Sequence, residues 1–327
     1  MTTFSQQIIM YKINRVLIVA DASNFEYVVV HSAVSKWYKD HKDDDALCLK
    51  SPLETDQENL PNILTIDSFK RVLHKETQSR LESINWIAKS NHQLDLDCAD
   101  GIDIIFTEDS KLSGNFRKKL YPQYKAHRSL VLHNFNIPVV KEYIQDVIFK
   151  ELDIENKFGY KIIKVENCES DDIIAVLMDY YKNYACRILI SNDKDFLQLE
   201  GVNQYDMCGK KVQFKLKNHD DFTLQPMEFL YWKIIRGDLS DNIKNVFPKF
   251  GDVKSYNLVK DRQKLKQMLT ESQEAAERFM MNKKLIDFRE IPIEIREKIL
   301  TVIKEKMDQK SDKEQAEEFS ASKCMII

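Results

Sequence analysis

The chain reads as an α/β protein, with a mostly parallel central sheet, helices on both faces, and a smaller C-terminal helical domain. Three observations predict this. Four short apolar runs alternate with stretches of helical period, the pattern of a parallel sheet with crossover helices. An acidic residue or cluster follows each run closely. From Gln225 onward the pattern is helical, apart from a loop at 237–251.

Residues 15–20 (RVLIVA) form the first predicted strand, which ends at Asp21. A helix over about 23–38 follows. The stretch 41–62 is acidic and holds Pro52 and Pro61, so it reads as a loop or insertion. A long helix is expected over 66–90, and the second strand over 102–107 (IDIIFT), closed by Glu108 and Asp109. A basic segment then leads into a helix over 139–152. The third strand is 160–165 (YKIIKV), with Glu166, Glu169, Asp171 and Asp172 just beyond it. A helix over 172–184 leads to the fourth strand, 186–190 (CRILI), and to Asp193 and Asp195. Residues 202–207 and 211–216 read as a hairpin across Cys208-Gly209. The domains follow: a 1–14 extension, an α/β domain at 15–220, a helical domain at 221–308 and a polar tail at 309–327.

Composition narrows the function. The 327 residues are 43% hydrophobic and 31% charged, as in a soluble globular protein. No uncharged apolar run approaches the roughly 18–20 residues needed to span a bilayer, and no membrane role is expected. Seven glycines, none within four positions of another, exclude both the G-x-G-x-x-G turn and the G-x-x-x-x-G-K phosphate loop. Six cysteines without a C-x-x-C pair and seven dispersed histidines support neither zinc nor a disulfide framework, and imply reduced thiols in a cytoplasm. The terminal Cys324-Met-Ile-Ile fits a prenylation pattern, a four-residue match that arises cheaply by chance.

Net charge is −3, from 49 basic and 52 acidic side chains, yet the charges are segregated. Residues 95–109 carry six acids and no base. Residues 110–141 carry Lys111, Arg117, Lys118, Lys119, Lys125, Arg128 and Lys141 and no acid.

In a parallel sheet, functional groups gather outside the carboxyl ends of the strands. Asp21, Asp109, the 169–172 cluster and the 193/195 pair are therefore expected to converge on one edge. Crowded carboxylates stay ionised only when cations neutralise them, and hard divalent ions with oxygen ligands, Mg²⁺ and then Mn²⁺, suit them. Two such ions would clamp the attacking and leaving oxygens of a phosphodiester. Any one of these Asp residues is more simply a helix N-cap; four strand ends together are not. Gly237-Asp238-Leu-Ser-Asp241-Asn-Ile243 adds carboxylates in what alone would be a turn. The run Asn115-Phe-Arg-Lys-Lys-Leu-Tyr-Pro-Gln-Tyr-Lys-Ala-His-Arg128 interleaves cations with aromatics. Its cations would attract phosphates, and Phe116, Tyr121 and Tyr124 could stack on bases; alone, it is equally a solvated helix with aromatics turned inward.

These pieces, in this order, resemble the 5′-nuclease superfamily of flap endonucleases and polymerase-associated 5′→3′ exonucleases. The motifs are a strand-end Asp21; Asp109 with F-R-x-x-x-Y-P-x-Y-K-x-x-R at 116–128; Glu169-Ser-Asp-Asp172 for the family's E-A-D-D; 191–199 for S-x-D-x-D-x-x-Q-L; and 237–243 for G-D-x-S-D-N-I. Within that superfamily the likeness leans to the ribonuclease H branch of T-even-like bacteriophages. The resemblance implies a PIN-like core, removal of RNA primers and adjoining DNA from lagging-strand fragments, and two Mg²⁺ ions for which Mn²⁺ substitutes. It implies a first metal cluster at Asp21, Asp109, Glu169, Asp171, Asp172 and Asp193, and a second at Asp195, Asp238 and Asp241. Arg117 and Lys125 match arch cations that contact the scissile phosphate. Lys118, Lys119, Tyr121, Tyr124 and Arg128 belong to the same arch, at about 110–140. Residues 237–260 match a helix–turn–helix-like duplex grip. There the family's Pro- and Gly-rich loop is replaced by Lys244-Asn-Val-Phe-Pro-Lys249-Phe-Gly251, so duplex contact falls to Lys244 and Lys249, and a monovalent ion in that loop is in doubt. Implied substrates are RNA·DNA hybrid, duplex DNA and 5′ flaps. The resemblance further implies a monomer working beside replication proteins such as a single-stranded-DNA-binding protein, in a bacterial host's cytoplasm if the protein is a phage's.

Two other classes of function fit parts of the pattern. A non-catalytic, structure-specific DNA-binding module would use the arch and lack the carboxylates, which are all present. A Mg²⁺-dependent phosphatase of small molecules would need no basic–aromatic run.

Overall fold

In the computed structural model the described residues are 15–41, 63–90, 101–110, 115–126, 137–219 and 221–308. The insertion expected at 41–62 lies almost wholly outside them, as do the N-terminal extension, the tail and Arg128.

Five strands form one parallel sheet in the order β3-β2-β1-β4-β5: β1 Val16–Asp21, β2 Ile102–Glu108, β3 Tyr160–Lys164, β4 Cys186–Ile190 and β5 Asn203–Tyr205. The sheet is parallel throughout, with one strand more than the four apolar runs announce. The expected hairpin is where the two differ. Its first arm is β5, which pairs in parallel with β4. Its second arm adds only an isolated antiparallel bridge, Tyr205 to Lys211. The intervening turn does form, because the Asp206 carboxylate accepts from the amides of Cys208 and Lys210 at 2.9 and 2.8 Å.

β1 lies at the centre and is entirely buried. Its side chains alternate between two cores, as the period of a strand requires. Val16, Ile18 and Ala20 join Phe25, Trp37, Phe69 and Phe106 on one face. Leu17 and Val19 join Ile105, Ile163, Ile173, Leu177 and Leu189 on the other. The first face is covered by α1 Ala22–Asp40, α2 Asp67–Ser90 and α4 Ile137–Tyr143, which continues through a π-helical turn, Ile144–Ile148, into α5 Phe149–Leu152 and then α6 Ile154–Lys157. The second face is covered by α7 Ser170–Tyr180 and the C-terminal α12 Ile293–Asp308. Helices on both faces explain why β1 reads as continuous apolar sequence.

Between these lie the short α3 Phe116–Leu120 and a helical unit of α8 Pro226–Arg236, α9 Asp252–Lys260, α10 Arg262–Glu271 and α11 Gln273–Ile286. That unit has its own core, centred on Leu230, Ile234, Ile235, Val259 and Leu285, which Tyr124 also joins. Among the described residues no helix is long and apolar enough to cross a membrane.

Candidate active site at the strand ends

The chain reverses its direction of winding at β1: β2 and β3 lie on one side, β4 and β5 on the other. The crevice at such a switch point is where open parallel sheets bind ligands. Asp21, the last residue of β1, stands there and is 4% exposed. Ser170 and Ser191 donate to it from α7 and from just beyond β4, at 3.3 and 3.1 Å. Asp109, just past β2, accepts from the Ser170 amide at 2.7 Å and from the Ser23 hydroxyl. Ser170 therefore ties β1, β2 and α7 together, because its hydroxyl also meets Thr107 at 2.8 Å.

The nine acids fall into unlike groups. Four are engaged by cations of the chain itself. Arg117 lies 3.0 Å from Glu169 and 2.7 Å from Asp172, and Lys125 pairs with Glu169. Lys233 pairs with Asp195 and, at 2.9 Å, with Asp238. Asp21, Asp109, Asp171 and Asp193 make no ion pair among the described residues. The ninth, Asp241, is buried, and its carbonyl accepts from the Lys125 amide at 3.0 Å.

Electrostatics follows this division. Burial, with Asp109 and Asp193 nearby, pushes Asp21 up to about 6. Burial and then Asp193 push Asp171 well above the usual carboxylate range. For Glu169 burial also works upward, but Lys125 and Arg117 outweigh it and hold the group at about 2. Asp238 is likewise held at about 2, because Lys233 and hydrogen bonds from Ser240 outweigh burial. Among the described residues no three acidic, His or Cys side chains are gathered closely enough to hold an ion as they stand. Beyond the effect of burial, Asp21 is nevertheless raised by Asp109 and Asp193, and Asp171 by Asp193 and Asp21, although Asp109 itself is exposed and Asp171 and Asp193 are half-buried; a divalent cation would relieve this repulsion. Their all-oxygen donor set suits Mg²⁺ or Mn²⁺.

The N-cap role and the site role coexist. Asp193 accepts from the Asp195 amide at 2.9 Å and Asp238 from the Ser240 amide at 2.8 Å, each opening a 3₁₀ turn. Glu169, at the N-cap of α7, makes no cap bond because its oxygens are taken by cations.

Two arch residues stand differently from the sequence expectation. Arg117 is 2% exposed and turned inward, donating to the Leu285 carbonyl at 2.9 Å as well as to Glu169 and Asp172. With its guanidinium committed to these partners, it holds the arch to the core rather than presenting a charge to a phosphate. Tyr124 is 4% exposed, packed in the helical core with its hydroxyl 3.3 Å from Glu169, so its ring offers no face to a base. The aromatic had turned inward, as a plain helix would have it. Tyr121 is half-buried, donating to the Asn242 carbonyl at 3.3 Å, while Lys118 and Lys119 are exposed on α3. Lys125 sits in the left-handed region at φ 56°, a strained conformation that its carboxylate partner and the Asp241 carbonyl maintain. Lys244 and Lys249 are exposed in the loop between α8 and α9.

Sequence reasoning missed Ser23, Ser170, Ser191 and Lys233. Two signals were available: Ser170 stands where the family pattern has Ala, and Ser191 opens the S-x-D-x-D motif. Lys233 gave none, since a lysine in the last turn of a helix is ordinary.

An all-parallel sheet with carboxylates at its strand ends, a short basic segment and an appended helical unit is the arrangement the sequence leads one to expect of a 5′-nuclease-like α/β fold. Residues 75–223 match the family described as the 5′-3′ exonuclease, N-terminal resolvase-like domain. That match covers somewhat less than half of the chain, and over it the sequence is similar to the 5′-nuclease superfamily. A 5′-3′ exonuclease of Buchnera aphidicola from Schizaphis graminum is 32% identical over 154 residues, covering 46% of this chain and 49% of that one. A 5′-3′ exonuclease of Mycoplasmopsis pulmonis is 26% identical over 241 residues, covering 65% and 75%. The matched stretch thus spans about half the length of the Buchnera relative. Among solved structures, a phage T5 5′-exonuclease described with divalent zinc bound superposes with a TM-score of 0.56 at 17% identity, over 89% of this chain and 99% of that one. A phage T5 flap endonuclease described in complex with DNA and metal ions gives 0.56 at 16%, over 90% and 100%. At such identity the likeness concerns the fold.

Proposed function

We propose that the protein is a divalent-metal-dependent 5′ nuclease that hydrolyses phosphodiester bonds from 5′ ends of RNA·DNA hybrid and duplex DNA and at 5′ flaps. On this reading it removes RNA primers and adjoining DNA, as in the ribonuclease H branch. One observation carries the reading: four carboxylates, Asp21, Asp109, Asp171 and Asp193, lie at the switch point without an ion pair among the described residues, and burial and their neighbours raise Asp21 and Asp171. The names of the relatives, and the DNA and metal ions described with the phage T5 enzyme, support it.

A divalent ion held by these carboxylates would activate water and polarise the phosphate. Asp195, Asp238 and Asp241 are the candidates for a second ion. Lys125, about one-eighth exposed beside Glu169, is the arch cation able to turn toward a bound phosphate. The hydroxyls of Ser170 and Ser191 fix the Asp21 carboxylate in place. Exposed Lys118, Lys119, Lys244 and Lys249 supply sequence-independent backbone contacts, so preference should follow shape.

The test digests a 5′-labelled RNA–DNA hybrid and a matched DNA flap side by side, with and without Mg²⁺, with small phosphate esters as the control. Metal-dependent release of short 5′ fragments is expected, with the esters untouched. Asp193→Asn should keep the circular-dichroism spectrum and duplex binding while losing at least about a hundredfold in cleavage. Near-normal turnover by that variant, or ester hydrolysis in place of nucleic-acid cleavage, refutes the assignment.

A further inference from the structure

The second carboxylate group already contains a cation. Lys233, in the last turn of α8, reaches into it with a side chain only 8% exposed. Its ammonium contacts Asp195 from the turn after β4, and Asp238 from the loop after α8, at 2.9 Å. Asp171, Asp195, Lys233, Asp238 and Asp241 line one pocket, so the ammonium stands among the carboxylates that a second ion would need.

We propose that Lys233 is a built-in counter-ion of this group. The chain then binds one divalent ion tightly, at Asp21, Asp109, Asp171 and Asp193, and a second only when the ammonium withdraws. The inference rests on the metal reading above and concerns its stoichiometry. The physical ground is competition. A divalent ion entering between Asp195 and Asp238 must displace a desolvated, paired charge, so its apparent affinity falls by the fraction of molecules in which Lys233 is out. Burial also makes the ammonium a better-held competitor than a surface lysine, whose ion pairs are weak. Among the described residues the first group has no ion-paired cation of this kind, since Arg117 and Lys125 pair with Glu169 and Asp172 instead.

The experiment counts Mn²⁺ bound to the full chain without nucleic acid, by electron paramagnetic resonance of the free ion and by calorimetry. The wild type should bind one ion, with any second at least about tenfold weaker. Lys233→Met should bind two ions within a few-fold of each other. Because that variant leaves two carboxylates unpaired and can fail to fold, Asp195→Asn is measured beside it. That variant should keep the single tight ion, whereas Asp193→Asn should lose it. Two equivalent ions in the wild type, or loss of the tight ion in Asp195→Asn, overturn the role of Lys233 and leave the metal-dependent reading standing. A wild type that binds no ion overturns both.

Discussion

Glu26 is a residue whose charge the fold opposes. It lies on α1, 1% exposed, with Lys141 at 3.4 Å and Gln145 donating at 2.5 Å. Burial pushes it up to about 7, against the lowering pull of Lys141 and Gln145. Between about pH 4.5 and 7 the folded chain therefore holds a proton that the unfolded chain has lost. Unfolding free energy then falls as pH rises through that window, and the contribution, whole below it, is gone above it. The shift corresponds to about 3 kcal/mol. Glu26→Gln removes the titration. Urea melts should therefore show the variant gaining on the wild type by about 2–3 kcal/mol between pH 4 and pH 8. A difference that stays flat with pH would refute the buried, protonated carboxyl. At this scale the sequence was legible in residue type and place, less so in orientation. Asp21 and Asp193 stand on the strand ends where an acid after an apolar run puts them. Arg117 and Tyr124 lie in the expected segment but point inward, because partners as distant as Glu169, Asp172 and Leu285 decide the matter and no local spacing encodes them.

The element that most constrains the helical unit is the turn after α8. Gly237 has φ 72°, and a Cβ there would lie 2.5 Å from the Ile243 carbonyl oxygen and 2.6 Å from the Lys244 backbone. Those backbone atoms cannot move away, since the Asp238 and Ile243 amides and carbonyls bond reciprocally at 2.8 and 2.7 Å. Left-handed strain and a backbone clash add in Gly237→Ala, for an expected cost of about 2–4 kcal/mol. Thermal melts should show that loss, whereas Gly159→Ala, with the same sign of φ but nothing near its Cβ, should lose less. Equal losses would mean that backbone conformation alone matters. The loop was legible as a loop, since Gly, Asp, Ser and Asn crowd it. The second arm of the supposed hairpin was not. Residues 211–216 alternate like a strand, but β5 takes its sheet partner from β4, a choice between parallel and antiparallel pairing that short strands leave open. The helix after β3 begins at Ser170 rather than two residues later, because Asp171 and Asp172 sit well in a first helical turn.

At the scale of the whole molecule, charged and polar side chains join what the sequence divides. Lys233 of the helical unit meets Asp195 of the sheet domain, and Gln198 donates to the Ile286 carbonyl at 3.2 Å while accepting from the Phe288 amide at 3.1 Å. Arg117 is the central tie, linking α3 to α7 through Glu169 and Asp172, and to α11 through the Leu285 carbonyl. The sequence reveals each party but not the tie, since the contacts bridge up to 168 positions. Burial alone would lower the pKa of this guanidinium, yet Asp172 and then Glu169 raise it, so its charge is permanent. Removing one member of such a buried set leaves the others uncompensated, at about 3–5 kcal/mol. Arg117→Ala should lower the melting temperature by on the order of 10 °C. Lys118→Ala, one residue along on the exposed side of α3, should stay within about 0.5 kcal/mol of the wild type. The two readouts separate stability from phosphate contact. If Arg117→Ala instead melts like the wild type and loses affinity for duplex in a salt-dependent way, the residue faces nucleic acid and the inward orientation is wrong. If stability falls while the salt dependence of duplex binding by the folded fraction is unchanged, α3 is fastened to α7 and to α11 through a charge that never meets nucleic acid.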